Sequence, residues 1–335
     1  MPQQFLFKEM LLKEIAKTKG MVNCHAHLDR AYTLTEENFA LSNALMEEKW
    51  VLNRDIKKAH TRESLIKRFE DAIALFMEQG IIACRTFVDA DNIVDMLCIN
   101  TAAEMREKYK GKFILQLAPQ PLEGFLNADA TNFDKVKTGL FEKACAICDV
   151  VGGLPSRDRK FGDGGRKHAD FLFSVAKNLN KDIDVHIDQE NNPLEKDTEW
   201  FLDKIVENHM EGRVTLLHAL SVSCQSTEDR KRIYKKMVDT NTNVTVCPKA
   251  VITMKQHKDK MAPVHNSIAQ VDEMLEAGVN VSIGTDNISD IIVPDCSGDL
   301  VDEVLMLAAA CRLYDIPKLA AVATTNGYKT LKLNL

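Results

Sequence analysis

Eight short β-rich runs, each followed by a longer segment of helical period, constrain the fold of this chain more than any other feature. The runs are continuously apolar, as strands are when helices cover both faces of a parallel sheet. Eight strand-helix units are the number that closes a (βα)8 barrel, the TIM-barrel architecture of the α/β class. The predicted strands are Gly20–His25, Gly80–Val88, Phe113–Ala118, Cys148–Gly153, Ile183–Ile187, Val214–His218, Val244–Cys247 and Val279–Thr285.

The helical segments have the length and apolar spacing of helices that pack on a sheet. They are Glu63–Gln79, Ile93–Tyr109, Asn132–Ala146, Gly165–Asn178, Lys196–Met210, Glu228–Asp239, Ser267–Ala277, Asp299–Leu313 and Ile316–Leu331, preceded by an amphipathic segment, Phe5–Lys17. A doubly wound open sheet is the competing architecture, but no Gly-x-Gly-x-x-Gly follows the first strand and no Pro- or Ser-rich linker divides the chain. We therefore predict an N-terminal helix in residues 1–19 and one barrel domain in residues 20–335.

The composition limits the kinds of partner. A formal net charge of −6 argues against sequence-independent binding to nucleic acid, which needs concentrated positive charge. Charged residues interrupt the first twenty positions, and no window approaches the eighteen or so apolar residues that span a membrane. The nine cysteines, an odd number, fit reduced thiols. We expect a cytoplasmic protein that binds a small molecule and neither nucleic acid nor membrane, with a homo-oligomer left open.

Polar side chains stand at the carboxyl ends of four predicted strands, the ends that meet at the mouth of a barrel. They are His25 and His27 at strand 1, His186 at strand 5, His218 at strand 6 and Asp286 at strand 8. Three imidazoles and one carboxylate suit one divalent ion such as Zn²⁺ or Fe²⁺, which makes hydroxide available at neutral pH. Asp286 can take a proton from the water, and His218, if it is not a ligand, can polarise the electrophile. The alternative is that His186 and His218 are hydrogen-bonded core histidines.

Two connections after strands are longer than usual, Asp29 to Arg62 and Leu154 to Gly164, and in a barrel both lie at the mouth. The second carries four consecutive charged residues, 157–160, including Arg157. One interpretation is a solvated charged loop, and the other is a clamp for an anionic or carbonyl-rich substrate. Asp29 and Arg30 can hydrogen-bond the metal ligands or form a surface ion pair.

Seven segments resemble the amidohydrolase superfamily, most closely its cytosine deaminase branch. They are 25–29 (His-Ala-His-Leu-Asp), 85–89 (Arg-Thr-Phe-Val-Asp), 115–117 (Leu-Gln-Leu), 123–126 (Glu-Gly-Phe-Leu), 149–155 (Asp-Val-Val-Gly-Gly-Leu-Pro), 184–188 (Asp-Val-His-Ile-Asp) and 284–287 (Gly-Thr-Asp-Asn). The resemblance implies that the metal ligands are His25, His27, His186 and Asp286, and that His218 is a catalytic non-ligand. No lysine ends strand 4, so the bridge of two-metal members is not expected and one metal ion is predicted.

The chain departs from that pattern in three places. Gln189 stands where the deaminases place a glutamate that shuttles a proton to the leaving nitrogen, and an amide cannot accept and return a proton. The neighbouring Glu190 points to the other face of a regular strand unless a bulge re-aims it. Leu122 falls where cytosine deaminase reads the pyrimidine, with Gln120 nearby, so cytosine is not the expected substrate. No segment is left to build the flanking β-sandwich that is common in the superfamily.

Two further residues are candidate substrate contacts. Trp50 resembles a tryptophan of the deaminase branch and either walls the pocket or packs within its loop, and Lys249 follows strand 7 at the mouth. The remaining histidines have no partner at recognisable spacing and are expected at the surface: His60, His168, His209, His257 and His265.

The function expected from these residues is hydrolysis of a C–N bond in an amide, a cyclic amide or an amino-substituted heterocycle. Metal-activated water is the nucleophile, Asp286 handles the proton, His218 stabilises developing charge and Gln189 hydrogen-bonds the substrate. The alternative is a catalytically silent barrel that keeps the metal site and binds a small ligand.

Overall fold

Eight parallel strands form the centre of the protein in a computed structural model that describes residues 5–190, 192–254 and 268–335. The strands are β1 (Met21–Ala26), β2 (Ile81–Asp89), β3 (Ile114–Gln120), β4 (Val151–Gly153), β5 (Ile183–Ile187), β6 (Val214–His218), β7 (Asn243–Val246) and β8 (Asn280–Ile283). They pair in chain order as two parallel sheets, β1-β2-β3 and β4-β5-β6-β7-β8.

Main-chain hydrogen bonds join the two sheets at both edges. Between β3 and β4, the backbone N–H of Asp149 donates to the carbonyl of Leu117 at 2.9 Å. Between β8 and β1, the N–H of Asp286 donates to the carbonyl of His25 at 3.0 Å. The ladder therefore continues around the eight strands, and the predicted (βα)8 barrel is confirmed. Every strand within the described residues belongs to it, so these residues contain no flanking β-sandwich.

A glycine lies at each of the two junctions because the neighbouring strand comes too close for a side chain. A Cβ atom at Gly152 of β4 would lie 2.0 Å from the carbonyl oxygen of Pro119. A Cβ atom at Gly284, just after β8, would lie 2.5 Å from the carbonyl oxygen of His25 and 2.7 Å from its backbone nitrogen. Gly284 thus allows the chain that leads to Asp286 to approach His25.

Helices alternate with the strands. They are α1 (Leu6–Ile15), α2 (Met46–Lys58), α3 (Arg62–Glu78), α4 (Leu97–Tyr109), α5 (Lys135–Ile147), α6 (Ser156–Arg159), α7 (Gly164–Leu179), α8 (Asp197–Glu207), α9 (Thr227–Asp239), α10 (Pro248–Thr253), α11 (Val271–Glu276), α12 (Leu300–Cys311), α13 (Ile316–Ala323) and α14 (Thr325–Thr330). Helix α1 packs against α13. No helix in the described parts of the chain combines the length and apolar character needed to cross a bilayer.

The predicted strands match the observed strands to within three residues at each end. The prediction of a single helix over Ile316–Leu331 is wrong, because this segment forms two helices, α13 and α14. The break is at Thr324, where ψ is −93° and the side-chain hydroxyl donates a hydrogen bond to the carbonyl of Ala320. Residue 267, the start of another predicted helix, lies outside the described residues. The two long connections contain helices that were not among the predicted ones, α2 and α6.

Candidate metal centre and active site

Five polar side chains converge at the carboxyl ends of β1, β5, β6 and β8, as the sequence predicts. The ring centroid of His25 lies 4.9 Å from that of His27 and 4.8 Å from that of His186. One Asp286 oxygen lies 3.2 Å from His27 Nε2 and 3.6 Å from His25 Nε2, and the other lies 3.7 Å from His218 Nε2. All five residues are at most 7% exposed.

The donor atoms fit a single divalent ion. Within the described residues, neither ring nitrogen of His25 has a hydrogen-bond partner, although both are buried. A buried polar atom without a partner is costly, so its presence indicates a group that the chain itself does not supply. Ligand atoms of His25, His27 and His186 lie within 4.8 Å of one another, as do those of His25, His218 and Asp286. Imidazole nitrogens with one carboxylate oxygen are typical donors for zinc or iron.

The protonation states also suit metal binding. Burial and the neighbouring Arg30 lower the pKa of His27 to about 3, and burial lowers the pKa of His218 to about 4. Burial and the surrounding imidazoles hold the pKa of His186 well below its usual range. Burial alone would raise the pKa of Asp286, but the nearby imidazoles of His25 and His27 keep it well below its usual value. At neutral pH, His27, His186 and His218 are therefore neutral and Asp286 is ionised, the forms that bind metals.

Two site residues adopt left-handed backbone conformations. His218 has φ of 73° and Asp286 has φ of 59°. Such conformations cost of order 1–3 kcal/mol for a non-glycine residue and tend to occur at functional sites. His218 is the last residue of β6, and Asp286 follows the end of β8. The turn of the backbone at each position directs the side chain across the mouth of the barrel.

Contacts with neighbouring residues position the predicted metal ligands. His186 places Nδ1 3.3 Å from the carbonyl oxygen of Gly153, which leaves Nε2 for the metal. An Arg30 Nη2 group lies 2.5 Å from His27 Nδ1, and Asp29 Oδ2 accepts the backbone N–H of Asp89 at 2.8 Å. Asp29 and Arg30 are at most 2% exposed, so the surface ion pair considered for them is excluded.

An inner cavity opens at the barrel mouth, where His27, His186, His218 and Asp286 form part of its lining. Three of the predicted substrate-site residues line it: Trp50, Gln120 and Gln189. Gln120 is 2% exposed, and within the described residues its Oε1 atom has no hydrogen-bond partner. Gln189 donates from Nε2 to Ser156 Oγ at 3.1 Å. The remaining wall is largely apolar and includes Met46, Leu122, Leu154, Val251, Met254, Ile292 and Val293.

An outer cavity adjoins the inner one and shares Trp50 with it. Arg157 lines the outer cavity, with its guanidinium carbon 4.9 Å from the centroid of the Trp50 ring and Nε donating to the carbonyl of Leu122 at 2.5 Å. Glu190 also lines the outer cavity, whereas Gln189 lines the inner one. The segment that follows β5 therefore does not turn the Glu190 side chain toward the inner cavity, where the predicted metal ligands lie.

Comparison with known proteins gives the family. The family model described as the amidohydrolase family matches residues 18–335. The chain belongs to the amidohydrolase family. It is 37% identical over 270 residues to an uncharacterised protein of Haemophilus influenzae, covering 80% of this chain and 95% of that protein.

More distant relatives have named activities. The N-isopropylammelide isopropyl amidohydrolase of Pseudomonas sp. strain ADP is 24% identical over 295 residues, covering 86% of this chain and 67% of that protein. Among solved structures, the 5-methylcytosine deaminase of Klebsiella pneumoniae with 5-fluorocytosine superposes with a TM-score of 0.85 at 22% identity, covering 94% of this chain and 75% of that chain. The resemblance to the amidohydrolase superfamily is confirmed by the family model, and the likeness to 5-methylcytosine deaminase shows that the two chains share a fold.

One predicted substrate contact lies apart from the others in this amidohydrolase. Lys249 is not among the residues that line the inner or outer cavity. Its backbone N–H donates to Glu303 Oε2 at 2.9 Å, and its Nζ lies 3.5 Å from the carbonyl oxygen of Asp295. The predicted substrate role of Lys249 stays a prediction.

Helix α2 is the part of the amidohydrolase site that sequence analysis missed. It carries Met46 and Trp50 to the inner cavity and Arg54 to the outer one. Its Lys57 side chain is fully buried and contacts three carboxylates, those of Asp89, Asp91 and Glu123. A signal was available, because the buried residues 46, 49, 50, 53 and 57 share the helical spacing that marks one face.

The charged segment 157–160 is not a solvated loop, because Asp158 is 1% exposed. Asp158 accepts the backbone N–H groups of Phe125 and Leu126, at 2.9 and 3.2 Å, and lies 2.7 Å from His168 Nδ1. The prediction that His168 and His60 lie at the surface is wrong, because their exposed fractions are 0% and 7%. Their side-chain partners, Arg68 for His60 and Asp158 for His168, lie 8 and 10 residues away, and no recognisable motif spacing connects them. His209 is exposed as expected, and residues 257 and 265 lie outside the described residues.

Proposed function

We propose that this chain is a mononuclear metal-dependent hydrolase that cleaves a C–N bond of an amide, a cyclic amide or an amino-substituted heterocycle. One observation carries the proposal: His25, His27, His186 and Asp286 bring a buried nitrogen and oxygen ligand set to the floor of a cavity. The relatives whose names describe amidohydrolase and deaminase activities support the class of bond. Zn²⁺ or Fe²⁺ suits the donor set.

The chain's own groups have separate tasks in this reaction. A bound divalent ion lowers the pKa of water and so supplies hydroxide near pH 7. Asp286 is ionised and lies at hydrogen-bond distance from the ligand imidazoles, so it can accept the proton of the attacking water. His218 faces the other oxygen of Asp286 and stands ready to donate a hydrogen bond to the oxygen that gains charge.

Gln189 has a binding role in this proposal. Its amide lies in the wall of the inner cavity and is oriented by Ser156, but it cannot carry a proton. The leaving nitrogen must then receive its proton from Asp286, or it must be a group that leaves with little help. Gln120 adds an unpaired buried acceptor, and Trp50 adds an aromatic wall, so the cavity suits a flat molecule with an amide-like edge.

The first experiment is metal analysis of purified wild type beside His186→Ala. We expect about one equivalent of zinc or iron in wild type and a loss of most of it in the variant, because a ligand is removed. His209→Asn is the matched control, since His209 is exposed and Asn tolerates its φ of 55°. Wild-type metal content in His186→Ala would contradict the proposed site.

A screen for released ammonia or amine from amides, cyclic amides and aminoheterocycles then tests the reaction. The alternative function, a silent barrel that binds metal and a small ligand, is favoured by Gln189 at the position of a proton shuttle. Stoichiometric metal together with ligand binding, but no C–N hydrolysis in the metal-loaded protein, would select that alternative.

A further inference from the structure

The outer cavity carries more positive than negative charge, although the chain as a whole has a net charge of −6. Its lining includes four cationic residues and two acidic ones: Arg54, Arg157, Arg159, Lys160, Glu47 and Glu190. Because Trp50 lines both cavities and Ser156 of the outer cavity bonds Gln189 of the inner one, a molecule bound at the metal ligands can extend into this space.

Two of the four cations already have carboxylate partners. Arg54 contacts Glu123 through Nε at 3.1 Å and through a second, shorter hydrogen bond from Nη2. Arg159 contacts Glu195 and Asp197, each at 2.6 Å, and also lies near Glu190. These guanidinium groups are neutralised by the protein and have little charge left for a ligand.

Arg157 and Lys160 differ from that pair. Neither forms an ion pair with a carboxylate in residues 5–190, 192–254 and 268–335. Arg157 lines the outer cavity and is held by its Nε bond to Leu122 and by the face of Trp50, the residue that lines both cavities. Burial lowers the pKa of Arg157. A partly buried guanidinium whose Nη groups form no hydrogen bond within the described residues is a receptor for a carboxylate or a phosphate.

We propose, on the basis of the proposed function, that the substrate carries an anionic oxygen group that binds Arg157 and Lys160 in the outer cavity. The C–N bond to be cleaved then lies in the inner cavity beside the metal ligands. A planar amide or aminoheterocycle that bears a carboxylate or a phosphate has this shape. The neutral parent ring lacks the group for the outer cavity and binds more weakly.

The chain offers a direct optical test because it contains two tryptophans, Trp50 and Trp200. In a Trp200→Phe background, fluorescence reports on Trp50 alone. We expect benzoate to give a saturable change and to bind at least about tenfold more tightly than benzamide, its neutral counterpart, since a close charge pair contributes on that scale. Phenyl phosphate, measured beside benzoate, separates a carboxylate-bearing from a phosphate-bearing substrate.

Variants assign the preference to Arg157. Arg157→Met should abolish the preference for benzoate over benzamide, and Arg157→Lys should retain part of it because the charge remains. Arg166→Met in the same Trp200→Phe background is the matched control, because Arg166 lies in α7 and lines neither cavity. Circular dichroism of each variant checks that the fold is intact.

Three outcomes would overturn the inference: equal binding of benzoate and benzamide, no saturable response to benzoate, or a preference that survives in Arg157→Met. The last would mean that the carboxylate binds the metal centre instead. The assay measures no turnover, so a failure of C–N hydrolysis leaves its result unchanged. Hydrolysis without any anion preference would reject this inference alone.

Discussion

Single residues decide both the chemistry and the closure of this barrel. Gln189 separates the chain from deaminases of the usual design, since it offers an amide where a carboxyl is needed for proton transfer. Gly284 has a steric role, because it lies against the backbone of His25 at the junction of β8 and β1. His25 and Asp286, two of the proposed metal ligands, lie on the two sides of that contact.

Gly284→Ala tests the importance of this contact. The added Cβ would overlap the His25 backbone at 2.5 Å, so we expect a loss of about 1–3 kcal/mol in the free energy of unfolding, the usual cost of overpacking. We also expect reduced metal content, because His25 and Asp286 must move apart. Urea denaturation and elemental analysis measure the two effects.

Gly139→Ala is the matched control. Gly139 lies in α5 with no atom within 4 Å of an added Cβ, so alanine should stabilise the protein by about 0.5–1 kcal/mol through helix propensity. If Gly284→Ala changes the free energy of unfolding as Gly139→Ala does, then the close approach of β8 and β1 does not require a glycine at position 284.

At the scale of elements, helix α2 lies over the mouth of the barrel. Its residues line both cavities, and Met46 and Trp50 pack in an apolar cluster there. Charged side chains also attach it: Lys57 contacts Asp91 and Glu123, Arg54 contacts Glu123, and Lys49 Nζ donates to the carbonyl of Ile292 at 3.0 Å. Burial alone would lower the pKa of Lys57, but Asp89 and Asp91 raise it above its usual value. Lys57 therefore remains charged and counterbalances the buried carboxylates.

Lys57→Met should loosen α2. Removing one partner of a buried charge cluster leaves the carboxylates unpaired, so we expect a loss of about 3–5 kcal/mol in the free energy of unfolding. Because Trp50 lies on the same helix, acrylamide should quench its fluorescence more strongly in the Trp200→Phe background. Chemical denaturation and quenching are the two measurements.

The neighbouring residue provides the control. Lys58 pairs with Asp55 on the exposed face of α2 at 2.8 Å, and such a pair contributes at most about 1 kcal/mol. Lys58→Met should therefore leave both stability and quenching close to wild type. Equal effects of Lys57→Met and Lys58→Met would show that the buried cluster does not anchor the helix.

At the scale of the whole molecule, burial favours the neutral form of several histidines, even where a carboxylate is in contact, as Asp158 is with His168. Burial and the neighbouring Arg68 lower the pKa of His60 to about 4, and burial lowers the pKa of His168. The unfolded chain, in which histidine has a pKa near 6.5, therefore binds more protons than the folded chain in mildly acidic solution. Stability is full above about pH 6.5 and falls as the pH is lowered toward about 4.

His60→Gln should remove part of this acid sensitivity. From pH 7 to pH 5, His60 alone accounts for a loss of about 1–2 kcal/mol in the free energy of unfolding, given the lowering of its pKa. Glutamine cannot titrate, yet it can still accept the hydrogen bond from Arg68 that His60 Nδ1 makes at 3.1 Å. Urea denaturation of metal-free protein at pH 7, 6 and 5 gives the slopes.

The slope of the exposed-site variant His209→Asn should equal that of wild type. A slope for His60→Gln that is as steep as wild type would contradict the assignment to His60. A bound metal would oppose protonation of the histidines that hold it. Removing the metal with a chelator before the titration therefore limits the measured pH dependence to the protein's own groups.

The sequence by itself determined the barrel and the place at its mouth where the proposed metal ligands meet. Strand assignment depends on local patterns, and a continuous apolar run such as Val214–His218 contains that pattern within a few residues. The five site residues follow from the same information, because parallel strands in a barrel necessarily bring their carboxyl ends to one mouth. Knowing the strand ends was enough to group His25, His186 and Asp286.

Tertiary structure alone decided the surroundings of that centre. The burial of Asp158 and His168 depends on contacts between α6, α7 and the loop after β3, and the burial of Lys57 depends on contacts between α2 and the ends of β2 and β3. Residues so far apart in sequence leave no periodic pattern, and their charge predicts exposure. The division into an inner and an outer cavity at Trp50 and Arg157 has the same origin, since it exists only where two distant loops meet.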